Sequence, residues 1–220
     1  MTEFIDMTTK IDRIKEVLKS EPAVIAVSGP SGAGKDYLTQ KAMEYFAVNG
    51  IPSFNVQMTT ERPHRGEVET KTCVSSSQYD KLVEHGLLIG DHVNKVRYGY
   101  QVKDLNHAIN EAKEKGGLVI LELNPAKQPS FPEEMKDKLG TNLTAWIGVE
   151  TTEEQTRANM VERGESEQTI KERLAVMHEF VEAMENDSEI KICNNGPDNR
   201  QNSAKDFIKI IETSILDSQV

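Results

Sequence analysis

Seven residues, Gly29-Pro30-Ser31-Gly32-Ala33-Gly34-Lys35, carry the spacing G-x-x-x-x-G-K. Glycines at those intervals let the backbone curl so that successive N–H groups and the start of a following helix face phosphate oxygens. The lysine adds a mobile positive charge. The next position normally carries the hydroxyl of Ser or Thr for a magnesium ion, and here it is Asp36. A carboxylate is a hard oxygen ligand that can serve Mg²⁺ directly or through water. As a plain alternative, Asp36 is a favourable acidic residue in the first turn of a helix.

This loop needs a strand before it and a helix after it. The apolar run 23–27 ends at Ser28-Gly29, and a helical pattern follows Lys35 to about residue 47. Strand-like runs recur at 54–57, 118–121, 143–149 and 190–193, with helical patterns at 8–19, 104–114, 152–186 and 203–216. Strands alternating with helices predict an α/β fold with a parallel core sheet covered on both faces. The polar, turn-rich stretch 58–102 breaks the alternation and is long enough to be an inserted subdomain above the carboxyl ends of the strands, where substrates bind. Glu122, directly after an apolar strand, stands at such an end.

The rest of the composition narrows the partners. Acidic residues outnumber basic ones 36 to 26, a formal charge of −10, so the overall field repels nucleic acid and anionic membranes and any phosphate site must be local. No apolar run approaches the roughly 20 residues of a membrane span. The two cysteines, Cys73 and Cys193, have no C-x-x-C spacing, and the N-terminus lacks a secretory pattern. A cytoplasmic protein is expected, built as one domain of 220 residues: an N-terminal helix at 8–19, a core from 22–57, 103–151 and 174–217, the insert at 58–102 and a lid at 152–173. No feature of the sequence specifies an oligomeric state.

In order along the chain, further motifs join the loop. Thr59-Thr60-Glu61-Arg62-Pro63-His64-Arg65-Gly66-Glu67 is similar to T-T-R-x-x-R-x-G-E, Tyr98-Gly99 to Y-G-[ST], and Glu122-Leu123-Asn124 to a D-h-D strand end. Arg163-Gly164 with Arg173-Leu174 is similar to an R-G-x-n-R-L lid, and Asn194-Asn195-Gly196 to a loop after the last strand. From about residue 23 to 216 the chain thus resembles the guanylate kinase family of P-loop nucleoside monophosphate kinases. The resemblance implies a three-layer P-loop kinase fold with an acceptor-binding insert and a helical lid. It also implies ATP as donor, Mg²⁺ as cofactor and a small phosphate monoester as acceptor.

Carried over residue by residue, the resemblance assigns ATP binding to Gly29, Ser31, Gly32, Ala33, Gly34, Lys35, Asp36 and Asn194, and catalysis to Lys35, Arg163 and Arg173. It assigns the acceptor to Gln57, Arg62, Arg65, Asp91, Tyr98, Tyr100, Glu122 and Asn124, and Mg²⁺ to Asp36 with Glu122. Arg157, Arg163 and Arg173 also lie among glutamates, so surface ion pairing is an alternative for each. His64 and His92 are lone histidines in a polar segment and stay outside the catalytic set.

Several positions depart from the family. Its guanine contacts fall on Gln57, Gly90, Tyr100 and Asn124, with Asp91 one residue from the expected acid. Its two acceptor-phosphate arginines fall on Glu61 and His64, with Arg62 and Arg65 one residue later. GMP is the family's default acceptor. The pattern His92-Val93-Asn94-Lys95-Val96-Arg97-Tyr98-Gly99 and the G-P-S-G-x-G-K-D loop are also similar to ribose 1,5-bisphosphate phosphokinase, which gives a second acceptor. Non-catalytic guanylate-kinase-like binding modules are a third reading, although they typically lose the phosphate loop that this chain keeps.

Overall fold

The computed structural model describes residues 2–62, 71–94, 96–124, 126–186, 190–194 and 200–218. In chain order the elements are α1 (Thr2–Ser20), β1 (Ala23–Ser28), α2 (Lys35–Val48), β2 (Ser53–Asn55), β3 (Thr59–Thr60), β4 (Thr72–Cys73), α3 (Ser76–Glu84), β5 (Leu88–Asn94) and β6 (Val96–Gln101). There follow α4 (Val102–Lys115), β7 (Leu118–Glu122), α5 (Phe131–Leu139), β8 (Ala145–Glu150), α6 (Glu153–Glu162), α7 (Glu167–Ala175), α8 (Met177–Glu185), β9 (Ile190–Asn194) and α9 (Arg200–Asp217).

The core is a five-stranded parallel sheet in the order β2-β7-β1-β8-β9. Its central strands are continuous apolar runs because both faces are covered. On β1, Ile25 and Val27 pack with Ile14 of α1, Phe46 of α2 and Phe207 of α9. Val24 and Ala26 point the other way, into a cluster with Leu105 of α4, Phe131 of α5 and Met184 of α8. On the first face, buried Glu212 of α9 accepts a hydrogen bond from Tyr45 at 2.7 Å and pairs with Lys10, tying α9 to α1 and α2.

The insert forms its own four-stranded sheet, β4-β3-β6-β5, with α3 packed beside β5. β5 carries a bulge between Ile89 and His92, and the chain there passes through Gly90 at φ +64°. That conformation disfavours a side chain, and there is no room for one: an added Cβ would stand 2.5 Å from Gln128 Nε2 and 2.6 Å from Phe131 Cδ2. The Gly90 N–H donates to Glu134 at 3.1 Å, and its carbonyl accepts from Gln128 at 2.8 Å. The α5 segment therefore docks onto the insert at Gly90, and Lys138 adds a hydrogen bond to the Leu88 carbonyl at 2.6 Å.

Several boundaries differ from those read in the sequence. The segment 152–186 is three helices, the first two separated at Gly164. The strand expected at 54–57 is Ser53–Asn55, that expected at 143–149 is Ala145–Glu150, and the first helix starts at Thr2. Helix α5 was not anticipated; its local signals are Pro132 with Glu133 and Glu134 in the first turn, Lys136 and Lys138 in the last, and Gly140 as its left-handed C-cap. Among the described residues no helix is long and apolar enough to cross a membrane.

Gly90→Ala must strain the backbone and displace Gln128 or Phe131, so we expect a loss of about 2 kcal/mol or more in unfolding free energy, read from urea denaturation.

Candidate active site

The site begins where β1 ends. Ser28 is fully buried; its hydroxyl donates to the Leu123 carbonyl at 2.9 Å and accepts from Trp146 Nε1. This one hydroxyl binds the carboxyl ends of β1 and β7 to β8, and it fixes the takeoff of the glycine loop.

The loop is held from outside by α6. Gly32 has φ +87°, and an added Cβ would lie 2.9 Å from the Thr156 carbonyl oxygen, so only glycine admits the helix this close. Asn159, nearly buried, donates to the Gly32 carbonyl at 2.7 Å and accepts from Gln155 and from Arg200, each at 2.7 Å. Gly34 is the N-cap of α2, so the loop's last residues lead into a helix N-terminus. Anion affinity there follows from the unpaired N–H groups and the helix dipole.

Lys35 folds back over this loop. Its ammonium donates to the carbonyls of Gly29 at 2.9 Å and Pro30 at 3.2 Å and pairs with Glu122 Oε1 at 3.1 Å. The other oxygen of Glu122 pairs with Lys71 at 3.4 Å. Burial would raise the Glu122 carboxyl, but the charges of Lys35 and Lys71 outweigh it and hold the group down at about 2. Tyr100 sets the backbone of the same residue: its hydroxyl donates to the Glu122 carbonyl at 2.7 Å and accepts the Glu122 N–H at 2.9 Å.

The lid arginines separate into two kinds. Arg173 donates to the Ser31 hydroxyl and to Glu165 at 2.9 Å, so α7 reaches the glycine loop. Arg163, the C-cap of α6, stands 4.0 Å from Asp36. Arg157 instead pairs with Glu167, an exposed contact from α6 to α7 and not the i,i+4 pair within one helix that its neighbourhood suggested.

In the insert, Arg97 binds Glu61 through two N–H groups at 2.8 and 2.6 Å, binds Asp80 at 2.6 Å, and lies 4.6 Å over the Tyr79 ring. Glu61, at the first family arginine position, is thus a counter-ion inside the insert. Tyr79 donates to Asp91 at 2.6 Å. Tyr98 is half-buried and stacks on His92 at 5.6 Å. Burial lowers the His92 pKa despite the Gly90 carbonyl 3.0 Å from Nδ1, which keeps the ring neutral near pH 7.

Three of the assigned residues are engaged within the protein. Tyr100 is fully buried against Phe131, and with its hydroxyl engaged by Glu122 it orients that residue instead of facing an acceptor. Each Glu122 oxygen pairs with an ammonium group, so in this structure Glu122 orders two lysines. Asp91 is exposed but committed to Tyr79, within the insert.

The remaining candidates are placed as follows. Gln57 is exposed between β2 and β3, and Asn124 sits half-buried beyond β7 with its Oδ1 buried and unpartnered. The Arg62 N–H donates to Thr60 at 3.3 Å. Asn194 closes β9 opposite Glu150. Arg65 and His64 lie outside the described residues.

Sequence reasoning missed Lys71, Asn159, Gln128 and Arg200. Only the position of Lys71, polar and next to a short strand of the insert, carried any signal.

For a magnesium ion the fit rests on Asp36. Its carboxylate is 88% exposed at the head of α2, a hard oxygen beside the phosphate loop. Among the described residues no cluster of three His, Cys, Asp or Glu side chains is present. Mg²⁺ suits such a site, because it keeps several waters and is held by one or two carboxylates plus substrate phosphates.

The Glu122 carboxyl is depressed in the folded chain to about 2 from an ordinary 4.5, so the stability it contributes is present above pH 4.5 and is lost as pH falls toward 2. Denaturation of wild type and Glu122→Gln across that range should show the gap between them closing as pH falls; a constant gap would deny the lysine pairing.

A family model described as guanylate kinase matches residues 20–210. A guanylate kinase from Wolinella succinogenes is 28% identical over 169 residues, covering 74% of this chain and 72% of its own. Another from Rubrobacter xylanophilus is 28% identical over 164 residues, covering 73% of this chain and 80% of its own. The crystal structure of guanylate kinase from Anaplasma phagocytophilum superposes with a TM-score of 0.56 at 14% identity, covering 89% of this chain and 87% of its own, a likeness of fold. The matched span takes in the glycine loop, the insert sheet and the arginine-bearing helices, and on that extent the chain belongs to the guanylate kinase family.

Proposed function

We propose that this chain transfers the γ-phosphoryl group of ATP to a (deoxy)nucleoside monophosphate, with GMP the first acceptor to test. A member of the guanylate kinase family, it is an ATP-dependent kinase. The observation that carries the reading is the gathering of cationic groups around the phosphate loop: Lys35 and Lys71 on Glu122 at the end of β7, and Arg173 on Ser31 of the loop itself.

Phosphoryl transfer asks mainly for alignment and charge neutralisation. The loop N–H groups and the α2 N-terminus hold the donor's β- and γ-phosphates, and Lys35 leaves the Gly29 and Pro30 carbonyls to bind their oxygens. Arg173 already touches the loop and turns from Ser31 to the transferring group, while Arg163 approaches from the end of α6. Asp36 would hold Mg²⁺, which would supply charge neutralisation at the donor phosphates. The insert at 58–102 holds the acceptor through Arg62 and Arg65, and the helices at 152–173 act as the lid that excludes water. ATP supply makes the cytoplasm the proposed location.

One observation favours an acceptor other than guanine: the side-chain space at Gly90 is filled by Gln128 and Phe131, and Tyr100 is withdrawn into the core. A site that reads a base by hydrogen bonds discriminates strongly against one that cannot make them. The test therefore compares kcat/KM for GMP, dGMP, the other nucleoside monophosphates and ribose 1,5-bisphosphate, at saturating ATP and Mg²⁺. Highest turnover with GMP supports the reading; a sugar bisphosphate preference would replace the acceptor, and binding without turnover would make the chain a non-catalytic module.

Arg173→Ala is expected to lower kcat about 10²–10³-fold with a much smaller change in acceptor KM, whereas Arg157→Ala, removing a surface pair, leaves both close to wild type. Equal effects of the two substitutions in steady-state assays would deny Arg173 its role.

A further inference from the structure

Arg173 is held by one nitrogen. Its Nη1 donates to the Ser31 hydroxyl and to Glu165 Oε1 at 2.9 Å, while its Nη2 and Nε make no hydrogen bond among the described residues. A guanidinium carries five N–H donors in a planar fork, so three of them remain for other oxygens. The carboxylate that holds it is also half used. Glu165 lies in the turn between α6 and α7 with its side chain 16% exposed, and its Oε2 is enclosed without a hydrogen-bond partner. An enclosed carboxylate oxygen with no donor is costly to keep.

The turn does not need this side chain to hold its shape. The Gly164 N–H donates to the Val161 carbonyl at 2.9 Å and the Glu165 N–H to the Met160 carbonyl at 3.1 Å, which closes the end of α6. Ser166 caps α7 by accepting from the Thr169 N–H at 3.2 Å, and Arg157 of α6 pairs with Glu167 of α7. Among the described residues the only side-chain hydrogen bond of Glu165 is the one from Arg173. Its place is nevertheless referenced to the phosphate loop. Met160, whose carbonyl takes the Glu165 N–H, packs so closely that a Cβ on Gly32 would lie 3.3 Å from its Cγ, and neighbouring Asn159 donates to the Gly32 carbonyl. Ser31 and Glu165 thus offer Arg173 two oxygens fixed in one frame.

We infer that Glu165 is a positioning residue for Arg173, and that its unpartnered Oε2 is the seat the guanidinium takes when the donor's γ-phosphate arrives. The inference rests on the phosphotransfer reading above. Nη1 keeps Oε1, Nη2 takes Oε2, and the Nη1 hydrogen released from Ser31 turns to a phosphate oxygen. No covalent bond is made or broken. A fork-to-fork arginine–carboxylate pair is stronger and more directional than a single hydrogen bond. The new bond offsets the one lost at Ser31, and the cation meets the phosphate in one orientation.

The test is calorimetric titration of the full chain with Mg²⁺ and either ADP or a non-hydrolysable ATP analogue, two probes that differ by the γ-phosphate. Arg173→Ala should weaken the analogue by about tenfold or more, the scale of a charged hydrogen bond, and leave ADP within about twofold. Glu165→Gln should weaken the analogue by about threefold or more and likewise spare ADP. Adding Glu165→Gln to Arg173→Ala should cost nothing further, the mark of a residue that acts through Arg173.

Analogue affinity reduced by Arg173→Ala but untouched by Glu165→Gln would overturn the inference and leave the kinase reading intact. Equal weakening of ADP and analogue by Glu165→Gln would also overturn it, since Glu165 would then only steady the loop. Additive losses in the double variant would do the same. If neither substitution changes analogue affinity, the inference falls together with the role given to Arg173. A wild type that binds neither nucleotide would overturn both the inference and the phosphotransfer reading.

Discussion

The site depends on a single carboxylate. Glu122 ends β7, the strand beside β1, and its two oxygens receive one lysine from the phosphate loop and one from the insert. The pairing wins over the desolvation that burial imposes, which is why the group is pushed down to about 2 and stays charged at neutral pH. Its backbone is fixed with equal care, both polar groups being bonded to the buried Tyr100 hydroxyl. A lysine on a flexible stem becomes a positioned charge only when something rigid holds it, and here the rigid element is the strand end.

The rest of the architecture brings partners to that point. Ser28 ties the neighbouring strand ends together, and Asn159 fastens α6 to the Gly32 carbonyl while gathering Arg200 from α9. The insert is carried on α5 through the side-chain-free position at Gly90, where Gln128 links the Gly90 carbonyl to the Asn124 N–H. Such a joint relies on close approach of backbone and side chain, so it tolerates no added volume. Within the insert Arg97 is paired with Glu61 and Asp80, while Lys71 reaches Glu122 past Tyr98, on which His92 stacks.

Local pattern made the phosphate loop legible, because an apolar run, three spaced glycines and a helix follow one another without interruption between residues 23 and 47 and each obeys a short-range rule. The parallel sheet was legible for the same reason. Tyr100 was not: alternation along β6 puts it on the same face as Tyr98, but depth is set by α5 and Phe131, elements distant in the chain. The arginines show the same limit. Spacing among glutamates cannot tell Arg157, which pairs on the surface, from Arg173, which reaches Ser31, since only the packing of α7 against the loop separates them. Helix α5 escaped because nine residues opening on Phe131-Pro132 give too few turns for a period to stand out.

The most direct measurement of this account is a double-mutant cycle on unfolding free energy with Lys35→Met, Glu122→Gln and the combination. If Glu122 holds the loop lysine as described, either change alone removes the shared contact, so the double variant loses clearly less stability than the sum of the two singles. Additivity within about 0.3–0.5 kcal/mol, the behaviour of independent sites, would contradict the claim that one carboxylate organises the site.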